Sequence, residues 1–430
     1  MKGKTSNVIV ILIVIITIIT VLFAISHEAF GQVQGNEVEK KHEQRELSKE
    51  DIDQAEDEAE KEIEREIQEK QDQMIDEPEM QDLEKQWMEL SEEMEGYMPQ
   101  IGFGDLLDMV RGEDGEFQLN KLFFGLINFF LGEITANLSL LGKVMVLSVI
   151  AALLVNLQTA FSEQFIGDLA HKVVYLLIMS IALQSFFIAL NIGREAVQNM
   201  VDVILALIPL LLSLMASMGA VTSVAIFHPI SIFLINTFSA LIRNVVFPLL
   251  VFSAVLNIIS HLSPHFKVTR LAGLFKDISI GALGFFMTIF LGVMGLQGIG
   301  GAVVDGISIR TAKFLTGTFI PVVGKSLADA VETVVGASLV LTNSITIAGA
   351  ALIFFTAVFP ALKILALVFI YKIAASLLEP LGDDSIPDSL NTMANCLTFV
   401  FAGVAIVGFM FFVALAVIMG AANASMMIRG

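Results

Sequence analysis

Charge is scarce in this chain and cysteine almost missing. Only 16% of its 430 residues are charged, against about 25% in ordinary soluble domains. So few charges cannot clothe a water-facing surface of this size, which excludes a free soluble globule. The single cysteine, Cys396, excludes an intrachain disulfide and a cysteine metal cluster. Catalytic signatures are missing as well. There is no His-Glu-x-x-His helix and no Gly-x-Ser-x-Gly elbow, so zincin and hydrolase chemistry have no anchor. Gly324-Lys325-Ser326 resembles the tail of a phosphate-binding loop, but the position five residues earlier is Phe319 rather than glycine. Without that glycine the backbone cannot wrap the phosphates. No basic patch with interleaved aromatics points to nucleic acid. The expectation is a protein that is not an enzyme and carries no cofactor.

Apolar residues make up 55% of the chain and are gathered into runs. In a lipid solvent, runs of about 20 residues become membrane spans. Lys2 and Lys4 precede the apolar run Val8 to Ile25, followed by Ala29-Phe30-Gly31. Residues 1–31 therefore read as a signal peptide or a signal anchor. Either way the positive end stays inside and residue 33 emerges outside. Residues 33–98 hold 25 Asp/Glu against 8 Lys/Arg, so most of the net charge of -19 belongs to this segment. Residues 32–99 read as an extracytoplasmic charged segment, marginally helical or a disordered tether up to Pro78. Beyond it, Met80, Leu83, Trp87, Leu90 and Met94 recur at intervals of three and four, an apolar stripe on one helix face. Two readings fit the stripe: packing on the chain's own membrane domain, or docking a partner. Residues 100–137 read as interfacial and amphipathic.

Residues 138–430 read as the polytopic domain. Candidate spans lie at 138–161, 173–192, 200–220, 226–242, 245–262, 278–300, 345–361, 363–379 and 396–420. The fold class is all-α, a helical membrane protein with eight or nine spans after the signal segment. Counting crossings puts loop 263–277, with Lys267, Arg270 and Lys276, inside, and the acidic loop 380–394 outside. The C-terminus then falls inside. Residues 301–343 are mixed in polarity and read as amphipathic or re-entrant. Ile208-Pro209 precedes Pro248 by the same 39 residues that separate Ile320-Pro321 from Pro360, which suggests an internal repeat of the kind seen in transporters.

Charges at membrane depth are costly and face protein or water. Lys143, Asp202, Arg243 and Lys363 border or enter apolar runs, and Arg310, Lys313, Lys325, Asp329 and Glu332 cluster in the mixed segment. Asp202, Lys363 and the five of the mixed segment are the candidate pathway or subunit-contact residues. The other reading is that Lys143, Arg243 and Lys363 snorkel to an interface and that the charges of the mixed segment are solvated in a surface loop.

Two longer motifs carry a resemblance. Ala206-Leu-Ile-Pro209-Leu-Leu-Leu-Ser213 leads to Phe227-His228-Pro229, and Asp305-Gly306-Ile307-Ser308-Ile309-Arg310-Thr311-Ala312-Lys313-Phe314 continues through Gly317 to Phe319-Ile320-Pro321-Val322. From about residue 97 onward the chain resembles the stage III sporulation protein AE family. That resemblance implies a polytopic, non-enzymatic part of a channel or secretion-like complex linking mother cell and forespore during endospore formation. It places the protein in the mother-cell membrane around the forespore. The partners it implies are the lipid bilayer and other stage III sporulation A proteins, including a cytoplasmic ATPase and ring-forming subunits. It supplies no catalytic residues. A stand-alone secondary transporter for a small solute is the other reading, suited by the repeat and by segment 301–343.

Overall fold

The computed structural model describes residues 78–93, 119–161, 164–262, 267–319, 323–381 and 385–427. All of them belong to the second of two units into which the chain divides, Arg65–Gly430. The expectations for the signal segment and for most of the acidic segment lie outside the described residues.

Among the described residues the elements are helices, with no strand. A short helix α1 (Pro78–Glu93) comes first. It is followed by α2 (Leu119–Ala136), α3 (Leu138–Phe161), α4 (Gln164–Ser217) and α5 (Val221–Leu241). A π-helical turn, Ile242–Val246, leads straight into α6 (Phe247–Leu262). Then come α7 (Thr269–Phe319), α8 (Val323–Leu378), a 3-10 turn at Glu379–Leu381, and α9 (Ser385–Met427). Apolar residues fill these helices on nearly every side, as a lipid or deeply buried setting requires.

Among the described residues, six helical stretches are long and apolar enough to cross a membrane: Phe123–Ile150, Lys172–Ser217, Val221–Leu262, Thr269–Asp305, Ser338–Leu378 and Ser385–Ala424. The sequence suggested nine shorter ones. Three expected pairs have fused, because the helix runs unbroken through 192–200, 242–245 and 361–363. The boundaries were drawn on polarity. Polarity alone does not end a helix, and Arg194 and Glu195 are good helix formers. Pro209, Pro229 and Pro360 also lie inside helices. Packed neighbours make such prolines tolerable in an apolar bundle. Pro248 directly follows the π turn, whose wider ring makes room where the proline ring would crowd the preceding turn. No comparable turn precedes Pro360, so the paired prolines of the expected repeat sit in different settings. Pro321 lies outside the described residues.

The order of the bundle follows from contacts between distant residues. The Tyr371 hydroxyl donates to the Ala182 carbonyl at 2.6 Å, and Ser217 donates to Ser338 at 2.9 Å, so α4 and α8 run antiparallel. Glycine lets α9 lie close on this pair. A Cβ at Gly193 would stand 2.8 Å from Val400, and one at Gly408 would meet Ala357 at 3.1 Å and the Met200 sulfur at 3.4 Å. Small residues at such crossings are how apolar helices gain contact without a hydrophobic driving force. Helices α4, α8 and α9 form the buried centre, with Phe186, Phe359, Tyr371 and Phe411 wholly enclosed. Helices α5–α6 and α7 pack on each other through Phe238 against Phe290 and Phe252 against Phe275, and on this centre through Phe290 against Phe411.

Tyr175 ties one end of the bundle. Its hydroxyl donates to the Ile258 carbonyl at 3.0 Å and shares a hydrogen bond with Ser389 at 2.8 Å. Ile258 is one turn from the end of α6, and Ser389 is one turn into α9. The α6–α7 and α8–α9 junctions thus lie at the same end. The charge count had set their loops on opposite sides.

Candidate functional site

Helix α5 starts without a side-chain cap of its own, because Ala220 occupies the N-cap position. Its first N–H groups point into an apolar bundle and need acceptors. Asp305, on α7, supplies them. Its two carboxylate oxygens accept the N–H of Thr222 and the N–H of Ser223, each at 2.8 Å. Asp305 is almost fully buried, with 2% of its surface exposed. A buried carboxylate at a helix N-terminus gains from both the N–H bonds and the helix dipole. One turn earlier on the same face is Gly301. A Cβ there would lie 2.6 Å from the Ser223 hydroxyl and 3.1 Å from its Cα, so only glycine lets α7 come this near. The turn that begins α5 is held from the other side as well. Gly219 adopts a positive φ of 86°, and Ser217 bonds Ser338 of α8. Four helices, α4, α5, α7 and α8, are pinned at this one corner.

Sequence reasoning did not single out Asp305. The signal was there: it ends an uncharged run from Ile278 to Val304, with a glycine one turn before it. Nothing local says that its partner is a helix start more than 80 residues away.

A second polar group lies midway along α4. Arg243, in the π turn, donates to the Gln198 side-chain oxygen. The Gln198 amide donates to Asp202 at 2.6 Å. Arg243 and Gln198 are half-buried, while Asp202 is exposed on the bundle surface. The Nε atoms of Arg194 and Arg243 are buried with no hydrogen-bond partner among the described residues. Asp202 and Arg243 both stand out in the sequence as charges bordering apolar runs; the structure joins them through Gln198.

The other candidates are scattered. Lys363 is half-buried on α8, with its Nζ 6.0 Å from the ring centre of Phe129 on α2. Arg310 and Lys313 fall in α7, and Lys325, Asp329 and Glu332 in α8, but their side chains lie outside what the structure describes. The described parts of 301–343 continue these two long helices. In the 80–94 stripe, Leu83 and Trp87 are buried against the chain's own bundle, and Trp87 meets Phe355 edge-on at 5.9 Å. Leu90 is half-buried. The Met80 side chain and all of Met94 lie outside the described residues. Cys396 is buried, with its sulfur 4.0 Å from the Ser253 hydroxyl.

Comparison with known proteins bears on this arrangement. The profile of the family described as Stage III sporulation protein AE matches residues 101–422, a stretch that takes in α2 through nearly all of α9. A curated relative, Stage III sporulation protein AE of Bacillus subtilis (strain 168), is 44% identical over 343 residues. That match covers 80% of this chain and 86% of the relative. No solved structure matches. Both matches span the helical bundle and both of its polar groups, and the chain belongs to the stage III sporulation protein AE family.

Proposed function

We propose that this protein is the non-enzymatic membrane core of a channel or secretion-like complex that connects mother cell and forespore, and that endospore development requires it. The observation that carries this reading is the family match itself, which extends over the whole bundle rather than over one motif. Apolar helices supply the membrane setting. Energy for transport comes, on this reading, from a cytoplasmic ATPase partner, and ring-forming stage III sporulation A proteins continue the path outside the bilayer. The protein sits in the mother-cell membrane around the forespore. Residues 32–137 are extracytoplasmic, apart from whatever part of α2 enters the membrane.

The test is recovery from sporulating cells in mild detergent. A tagged chain is expected to bring down the other stage III sporulation A proteins, the ATPase among them, and its deletion is expected to abolish spores. Recovery of the protein alone would overturn the reading. It would favour the second one, a stand-alone transporter for a small solute. The Arg243–Gln198–Asp202 network, which places charge of both signs at mid-helix, is the observation on that side.

A further inference from the structure

The long helices have a polar waist. On α4, Asn191, Glu195, Asn199 and Asp202 recur at intervals of four, four and three, and all are exposed. That spacing puts them on one helix face. On the neighbouring α5 and π turn, Asn236 and Asn244 are exposed, eight residues and about two turns apart. The Arg243–Gln198 bond sets the two stripes at one level, so they form a single face. Above and below it large apolar side chains are exposed, and no Asp, Glu, Lys or Arg of α4 or α5 is exposed there among the described residues. Leu176, Leu177, Phe187 and Ile188 are exposed on the earlier half of α4, and Val221 and Phe233 on the other side of the waist.

Helix length makes this face a problem for lipid. The Lys172–Ser217 stretch has 46 residues, about 69 Å at 1.5 Å per residue. A hydrocarbon core is about 30 Å thick. It covers one apolar half of such a rod, not both, so the waist lies at the edge of the hydrocarbon or within it. Carboxylates and amides turned to lipid are costly and are found facing water or protein. A separate observation points to water. The buried Nε atoms of Arg194 and Arg243 have no acceptor among the described residues, and groups of this kind are ordinarily satisfied by an internal water.

We propose that this face is wetted and forms an aqueous wall of the transport path, with a preference for small cations over anions. This rests on the channel reading above and names the surface that carries it. The sign of the preference follows from the geometry. The exposed charges of this face are the carboxylates of Glu195 and Asp202, whereas Arg194 and Arg243 are half-buried with their Nε atoms enclosed, and Arg243 is held by Gln198. Exposed charge of one sign raises the local concentration of the opposite ion.

The test uses the full chain in membranes from sporulating cells, in a Cys396→Ser background. Single cysteines replace Asn199, Asn236 and Asn244, with Leu177→Cys and Phe233→Cys as apolar controls. Each variant is first checked for normal amounts in the membrane, and three positions on two helical segments guard against one that fails to insert. Cationic and anionic methanethiosulfonates are applied, and each rate is divided by that of a free thiol. The polar positions are expected to react and the controls to stay unmodified. The cationic reagent is expected to be favoured by about fivefold, an advantage that Asp202→Asn reduces. Silence at all three polar positions would overturn the proposal, as would equal reaction at the controls or a preference for the anion. Silence with normal recovery of partners rejects the wetted face and leaves the channel-complex reading standing. Reaction without partner recovery keeps the wetted face and rejects that complex.

Discussion

At the scale of single residues, the sequence was most legible where a residue acts alone and least where it acts through a distant partner. Being the single cysteine, Cys396 excludes an intrachain disulfide on sequence alone, and it is a free, buried thiol. Asp305 shows the opposite case. Its type and its place at the end of an uncharged run were visible, but its role as a cap depends on α5 arriving from elsewhere. Removing the carboxylate leaves two backbone N–H groups without acceptors. Each such buried group costs on the order of 1–3 kcal/mol. Asp305→Ala is therefore expected to lower the unfolding midpoint of the detergent-solubilised protein clearly. Asp305→Asn, which keeps one acceptor oxygen, is expected to fall between it and the native chain. Equal midpoints for all three would remove the cap from the account. Gly301→Leu is a companion prediction. Its side chain would meet the Ser223 backbone, so α7 must move away and the same midpoint falls.

At the scale of elements, helix type was legible throughout and helix extent was not. Apolar runs announced helices, but the fused rods α4, α5–α6 and α8 pass through polar stretches that look like loops in one dimension. A loop needs a chain reversal, as at Met218–Ala220 with its positive-φ glycine, rather than a dip in hydropathy. In the sequence α1 reads as an apolar stripe with two uses open. The structure seats Leu83 and Trp87 on the chain's own bundle. Trp87→Ala is expected to cost about 3–5 kcal/mol of that seating. Trypsin should then cut faster at the exposed Lys85 while the rest of the bundle stays resistant. Met88→Ala, at a position 55% exposed, should leave the cutting rate unchanged. An unchanged rate in the Trp87 variant would mean that α1 is held by something other than this ring.

At the scale of the whole molecule, membrane character and family were both readable from the chain, because composition and long ordered motifs survive without a structure. Sidedness was not, since it depends on how many times the chain reverses. A continuous helix cannot turn back, so each of the fused rods crosses a bilayer at most once. If the six apolar stretches each cross once and residue 33 is outside, the α6–α7 and α8–α9 junctions share the cytoplasmic side, in keeping with the Tyr175 bonds to Ile258 and Ser389. The same count puts the end of α9 outside, where nine crossings put it inside. The most direct measurement replaces Lys267 and Glu379, both exposed and each beside one junction, by cysteine in a Cys396→Ser background. Intact sporulating cells stripped of their wall are treated with an impermeant maleimide, before and after permeabilisation. The account predicts that neither position is labelled in intact cells and that both are labelled once the membrane is opened. Labelling of position 379 but not 267 in intact cells would contradict it and restore the shorter, more numerous spans.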